Sequence, residues 1–142
     1  MSEEIKKDKE IVLAAVKNYG QSLRFASKKL RNDKQIVLAA IQNDGRSLSC
    51  ASKELKNDKE VVLKLLEIDG SYLCFASKEL RNDREIVLAA VKNANCLCHA
   101  SEELRNDREI VLAAVKNNRE AIIYASERLQ NDKDFIMNLS MI

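Results

Sequence analysis

Apolar residues in this chain come in blocks, and each block is announced by an aspartate. Asp8, Asp33, Asp58, Asp83, Asp107 and Asp132 stand 25 residues apart with a single interval of 24, each followed by a basic residue, then an acidic residue or Gln, then apolar residues. From Asp33 to Asn43 this spacing predicts a helix whose first free amides are capped by the aspartate side chain. Glu10, Glu60, Glu85, Glu109 and Asp134 fall inside the first turn of the other copies, where the helix dipole favours negative charge. Six consecutive apolar residues, as in Ile86 to Val91, leave this first helix almost no polar face. It is therefore expected on the inside of a stack, with Ala89 internal.

A shorter phrase follows in five copies. Leu23/Ala26/Leu30 recur as Leu48/Ala51/Leu55, Leu73/Ala76/Leu80, Leu97/Ala100/Leu104 and Ile122/Ala125/Leu129. Steps of three and four predict a second helix with one apolar stripe and one wet face. Gly20, Gly45 and Gly70 stand where the first helix ends, with Asn95 and Arg119 in the same place later. A left-handed helix terminus is expected there, moved to Asn118 in the fifth copy. The return corner is Asn-Asp in every copy (Asn32, Asn57, Asn82, Asn106, Asn131), with Asn expected to make a left-handed bend and Asp to cap the next helix. A metal-binding ladder of these aspartates is rejected: packed helices lie ~8–10 Å apart, and shared ion ligands need ~2.0–2.6 Å.

A unit this small cannot bury its own core, so neighbours must stack. The fold class predicted is all-α: a short α-solenoid of about five 25-residue helix-turn-helix repeats plus a C-terminal capping helix. One helical-repeat domain is expected over 1–142, with units starting near 8, 33, 58, 83 and 107 and a capping half-unit at 132–142. Ser2 to Asp8 aligns with Ser101 to Asp107, so the chain opens on the tail of a second helix.

The phrase Asn-Asp-Lys/Arg-Glu-Ile-Val-Leu-Ala-Ala-Val-Lys-Asn, followed by Leu-x-aromatic-Ala-Ser-Glu-Glu-Leu-Arg, resembles the tandem repeat of the "domain of unknown function 4116" family over essentially the whole chain. The resemblance implies a helical array and carries no activity, substrate or catalytic residue. Local departures are the residue missing between Asn95 and Leu97, Arg119 at the glycine place, and Lys64 and Ile68 in the third first-helix.

Composition changes little. The 142 residues include no proline and three glycines, which suits an all-helical chain, and the net charge of +2 argues for neither nucleic acid nor an anionic membrane. Apolar runs of about six residues fall far short of the ~20 that span a bilayer. With no signal-peptide pattern and four irregularly spaced cysteines, a cytoplasmic protein with reduced thiols is expected.

Candidate chemistry is sparse. His99 is the single histidine and takes the place of Phe25, Phe75 and Tyr124; Cys96-Leu97-Cys98-His99 lacks a second ligand pair at finger spacing. No cofactor, metal or catalytic residue is assigned, and the chain is read as a non-enzyme. Two surfaces remain as candidate docking sites. One is a basic stripe, Arg24, Lys28, Lys53 and Lys78, placed on one helix face and fading toward Glu102 and Glu127. The other is the edge of variable turns, with Tyr19, Asp44, Arg46 and Asp69. The function expected is a protein-protein interaction scaffold for an acidic partner. The alternatives are an RNA-binding repeat, which needs a stacking residue and base-edge side chains in each unit, and a structural or targeting module of a larger protein.

Overall fold

The computed structural model describes residues 8–141. The N-terminal alignment of Ser2 to Lys7 with a second-helix tail lies outside them. The described residues are helical and contain no strand. Six long helices carry the first phrase: α1 (Lys9–Asn18), α2 (Lys34–Asn43), α3 (Lys59–Ile68), α4 (Arg84–Val91), α5 (Arg108–Asn117) and α6 (Lys133–Leu139). The chain forms two compact units, residues 8–68 with 75–77, and 69–74 with 78–141.

Each long helix starts on its aspartate. The carboxylates of Asp8, Asp33, Asp58, Asp83, Asp107 and Asp132 accept from amides three residues on, at 3.0–3.2 Å. Burial follows two faces rather than the whole circumference. In α2 to α5 the third and seventh helix positions, as in Ile36 and Ala40, are buried, and so are the fourth and eighth, as in Val37 and Ile41. The second and ninth positions are exposed and the fifth is half-buried, so these helices keep a wet side despite their apolar sequence. Ala89, at the sixth position, is half-buried rather than internal; Ala90 next to it is fully buried.

The second phrase is not one helix. Gly20–Phe25 is a 3₁₀ helix, Ala26 is extended at φ −74°, ψ 161°, and Lys28–Arg31 is a single α turn capped by Ser27. The break recurs at Ala51, Ala100 and Ala125, with one-turn helices Lys53–Lys56, Glu102–Arg105 and Glu127–Gln130 after it. In the third repeat the final turn is the 3₁₀ segment Leu80–Asn82. The reason is local: Gly20, Leu23 and Ala26 are all buried at a strict spacing of three, the period of a 3₁₀ helix, and Ser27 then restarts the count as N-cap for Leu30.

The expected left-handed residues are absent as well. No described residue has positive φ, neither the glycines, nor Asn95, nor Asn118, nor the corner asparagines. Asn118 instead caps the 3₁₀ helix Arg119–Tyr124 by accepting from the Glu120 amide at 2.9 Å. At Gly20 the requirement is space: a Cβ there would stand 2.5 Å from the Ala40 carbonyl oxygen of the next repeat. Gly70 is pressed against Ala90 in the same way.

Candidate functional site

Repeats are joined by a set of bonds that the aspartate phrase supplies on both sides. In the first compact unit, the basic residue after one cap reaches the cap of the following repeat: Lys9 to Asp33 at 3.1 Å and Lys34 to Asp58 at 3.2 Å. Lys34 also reaches Glu60 at 3.0 Å. In the second unit Arg84 spans Asp107 at 3.0 Å and Glu109 at 2.6 Å, and Arg108 pairs with Asp132. Burial alone would raise the Asp33 and Asp107 carboxyls, but these cations and the capped amides together bring both below the usual carboxylate range. The acidic partners hold the Arg84 guanidinium more firmly protonated than a free one.

The corner asparagines serve the same joints. Ser52 donates its hydroxyl to Asn32 at 2.5 Å, and Ser77 to Asn57 at 2.6 Å. In the second unit Ser101 donates to Asn82 at 2.5 Å and Ser126 to Asn106 at 2.6 Å. Beside each side-chain bond runs a backbone one, such as Ser52 N–H to the Arg31 carbonyl at 3.0 Å and Ser126 N–H to that of Arg105 at 2.8 Å. Both partners recur in every repeat of the sequence, about twenty residues apart, and that recurrence was the available signal.

Between successive one-turn helices these bonds leave an open groove. In the first unit it has a volume of about 660 Å³ and is lined by Lys28, Lys29, Arg31, Asn32, Ser52, Lys53 and Glu54. Four cations face one carboxylate. Asn32 spends its carbonyl oxygen on Ser52, which leaves its amide N–H groups as donors toward the groove. The Arg31 Nε is buried without a hydrogen-bond partner among the described residues. The equivalent groove of the second unit, about 610 Å³, balances Lys78, Arg81 and Arg105 against Glu79, Glu102 and Glu103, with His99 beside them.

The predicted basic stripe is thus only partly assembled. Lys28 and Lys53 share a groove, whereas Lys78 lines the balanced groove of the other unit. Arg24 belongs to neither. The extended Ala26 breaks the helical register that would have stacked it on Lys28, and its guanidinium lies over the Phe25 ring, 4.8 Å from the centroid. Lys29 and Arg31 complete the groove, and Lys29 was not among the residues singled out from sequence.

The turn residues have local work. Asp44 caps the 3₁₀ helix Gly45–Cys50 through the Arg46 amide at 3.0 Å and pairs with the Arg46 guanidinium at 2.7 Å. The Arg46 bond, aided by its backbone amide and Gln21, outweighs burial and holds the Asp44 carboxyl down at about 2. Asp69 accepts from the Ser71 amide at 2.9 Å. Tyr19 is exposed at the corresponding place and makes no cap.

Burial acts on Cys96 and on His99. Burial pushes the Cys96 thiol up to about 12, far from a thiolate at neutral pH. Burial, with Arg81 nearby, lowers the His99 imidazole. Among the described residues no group of three or more His, Cys, Asp or Glu is placed to hold a metal ion, and no helix is long and apolar enough to cross a membrane.

A family model described as "Domain of unknown function (DUF4116)" matches this chain in overlapping tandem segments, residues 1–31, 8–56, 58–105, 92–127 and 107–139. Neither a curated protein nor a solved structure matches it. The chain belongs to the DUF4116 family, and its tandem matches follow the repeats seen in the structure.

Proposed function

We propose that this DUF4116 chain is a non-enzymatic interaction scaffold that docks an acidic protein segment in the groove of its first compact unit. The observation that carries the reading is the charge imbalance of that groove, where Lys28, Lys29, Arg31 and Lys53 face only Glu54. A lining of donors on two rigid one-turn helices suits a carboxylate-rich strand or loop, and its exposed charges would act mainly on the rate of encounter. The groove is open and lined mainly by charged side chains. Cytoplasmic residence fits the four free cysteines.

An RNA reader would need a stacking platform in each repeat. The Arg24–Phe25 pair is one such platform, but the same two places hold Ser49–Cys50, Cys74–Phe75, Cys98–His99 and Ile123–Tyr124 elsewhere. The test is titration of a labelled Glu/Asp-rich peptide, and separately of mixed single-stranded RNA, against the protein and against a Lys28→Glu, Lys29→Glu, Lys53→Glu variant. Peptide binding that falls with salt and is lost in the triple variant, but kept in Lys78→Glu, supports the proposal. Equal binding by all three proteins, or RNA preferred with a steep salt slope, overturns it.

A further inference from the structure

One joint of the second unit is filled by a side chain of the chain itself. Arg128 lies on Asn106, its Nε donating to the Asn106 side-chain oxygen at 2.9 Å and its Nη2 reaching the Asn106 backbone carbonyl at 3.4 Å. That side-chain oxygen also accepts from the Ser126 hydroxyl at 2.6 Å, so it serves two donors at once. The preceding joint of the same unit is built from the same parts: Ser101 donates its hydroxyl to Asn82 and its amide to the Arg81 carbonyl at 2.9 Å, as Ser126 does to Asn106 and Arg105. There the place of Arg128, two residues after the serine, belongs to Glu103. An ionised carboxylate cannot donate to Asn82, which lines the groove of about 610 Å³.

We propose that this groove takes the guanidinium of an arginine from a partner protein segment, seated on Asn82 as Arg128 is seated on Asn106. The fork of a guanidinium spans two oxygens of one residue, which the compact ammonium of lysine does not. Charge favours the same occupant. Glu79, Glu102 and Glu103 line the groove and are exposed. The cations are less available: the Arg81 Nε is buried, the Arg105 Nη1 is directed to the Tyr124 carbonyl at 3.5 Å, and burial with Arg81 nearby keeps His99 neutral near pH 7. Arg128 is itself accommodated with Arg105 at the position that Arg81 holds in the open joint. Among the described lining residues Lys78 is the one exposed cation. In the first unit's groove Glu54 holds the place of Glu103, but Lys28, Lys29 and Lys53 repel a further cation. The arginine site lies in the other compact unit from the one proposed to dock an acidic segment, so either groove can bind without the other.

Titration of the isotope-labelled full chain with the blocked tripeptide Gly-Arg-Gly, followed by NMR, tests this. The Asn82 side-chain amide and the Ser101 and Glu103 backbone amides should shift, and blocked Gly-Lys-Gly should bind on the order of tenfold more weakly. Glu103→Arg, which supplies the guanidinium from within the chain, should abolish the peptide-induced shifts at Asn82, and Lys78→Glu should tighten binding. Arg128→Ala should open a second site, with new shifts at Asn106 and Ser126; Arg128 is exposed, so this variant keeps its fold. Equal binding of the arginine and lysine peptides, shifts spread without preference for Asn82, or an Arg128→Ala chain with no response at Asn106 would overturn the proposal.

Discussion

Gly20 lies so close to Ala40 that a methyl group on it would stand 2.5 Å from the Ala40 carbonyl oxygen. That oxygen is backbone and belongs to the next repeat, so no side-chain rotation relieves the contact. Gly20→Ala should therefore lower stability by about 1–3 kcal/mol through overpacking alone, since no positive φ is involved. A urea denaturation midpoint measures it. An unchanged midpoint would mean that the repeats are spaced more loosely than the structure has them.

Ser47 is completely buried, and its hydroxyl has no hydrogen-bond partner among the described residues. The two other fully enclosed residues at this repeat position are Cys96 and Ala121, which carry no such penalty. Ser47→Ala should leave stability unchanged or raise it by up to about 1 kcal/mol. A clear loss on thermal melting would show that the hydroxyl has a partner after all.

The Asp44 carboxyl is held at about 2, chiefly by Arg46, against an ordinary value of 3.8. Because the folded value is the lower one, its contribution is complete above pH 3.8 and fades as pH falls from there toward 2. The midpoint difference between the native chain and Asp44→Asn should be constant near neutral pH and shrink across that acid window. Asn keeps the cap to the Arg46 amide, so the ionic part is isolated.

Ala90 is fully buried, and its carbonyl lies against Gly70. Ala90→Asp should unfold the second compact unit or cost several kcal/mol, because an unpaired carboxylate would be desolvated there. The same substitution at half-buried Ala89 should be much milder. Circular dichroism melts of the two variants side by side give the comparison, and equal losses would contradict the two-faced burial of the long helices.

The long helices were legible because their caps and their core residues are local signals: an Asp side chain reaches amides three residues on, and the apolar spacing names the buried faces. The second phrase misled because Leu23, Ala26 and Leu30 satisfy helical spacing on their own. Adding Gly20 turns the first part into steps of three, and Ser27 placed three residues before Leu30 is a capping signal in its own right; together they mark the break at Ala26. Glycine was read as a conformational necessity when its role at Gly20 and Gly70 is to admit a neighbour's backbone, which is a long-range fact. The groove was half legible for the same reason. Lys28, Arg31 and Lys53 are visible as recurring basic residues, but only the stacked one-turn helices bring Lys29 beside them.

The joints between repeats have a direction: donors such as Lys9 and Arg108 sit on the leading side, and acceptors such as Asp33 and Asp132 on the trailing side. Any unit that begins with Asp-basic-acidic can thus follow any other without stranding a partner. Duplication or deletion of a whole unit preserves the bonds of the seam, and the fourth repeat, one residue shorter between Asn95 and Leu97, keeps them as well: Arg84 still reaches Asp107 and Ser101 still donates to Asn82. Array length is accordingly free to drift in steps of one repeat while the seam stays fixed, and the groove residues, which take no part in the seam's ion pairs, can diversify from one copy to the next.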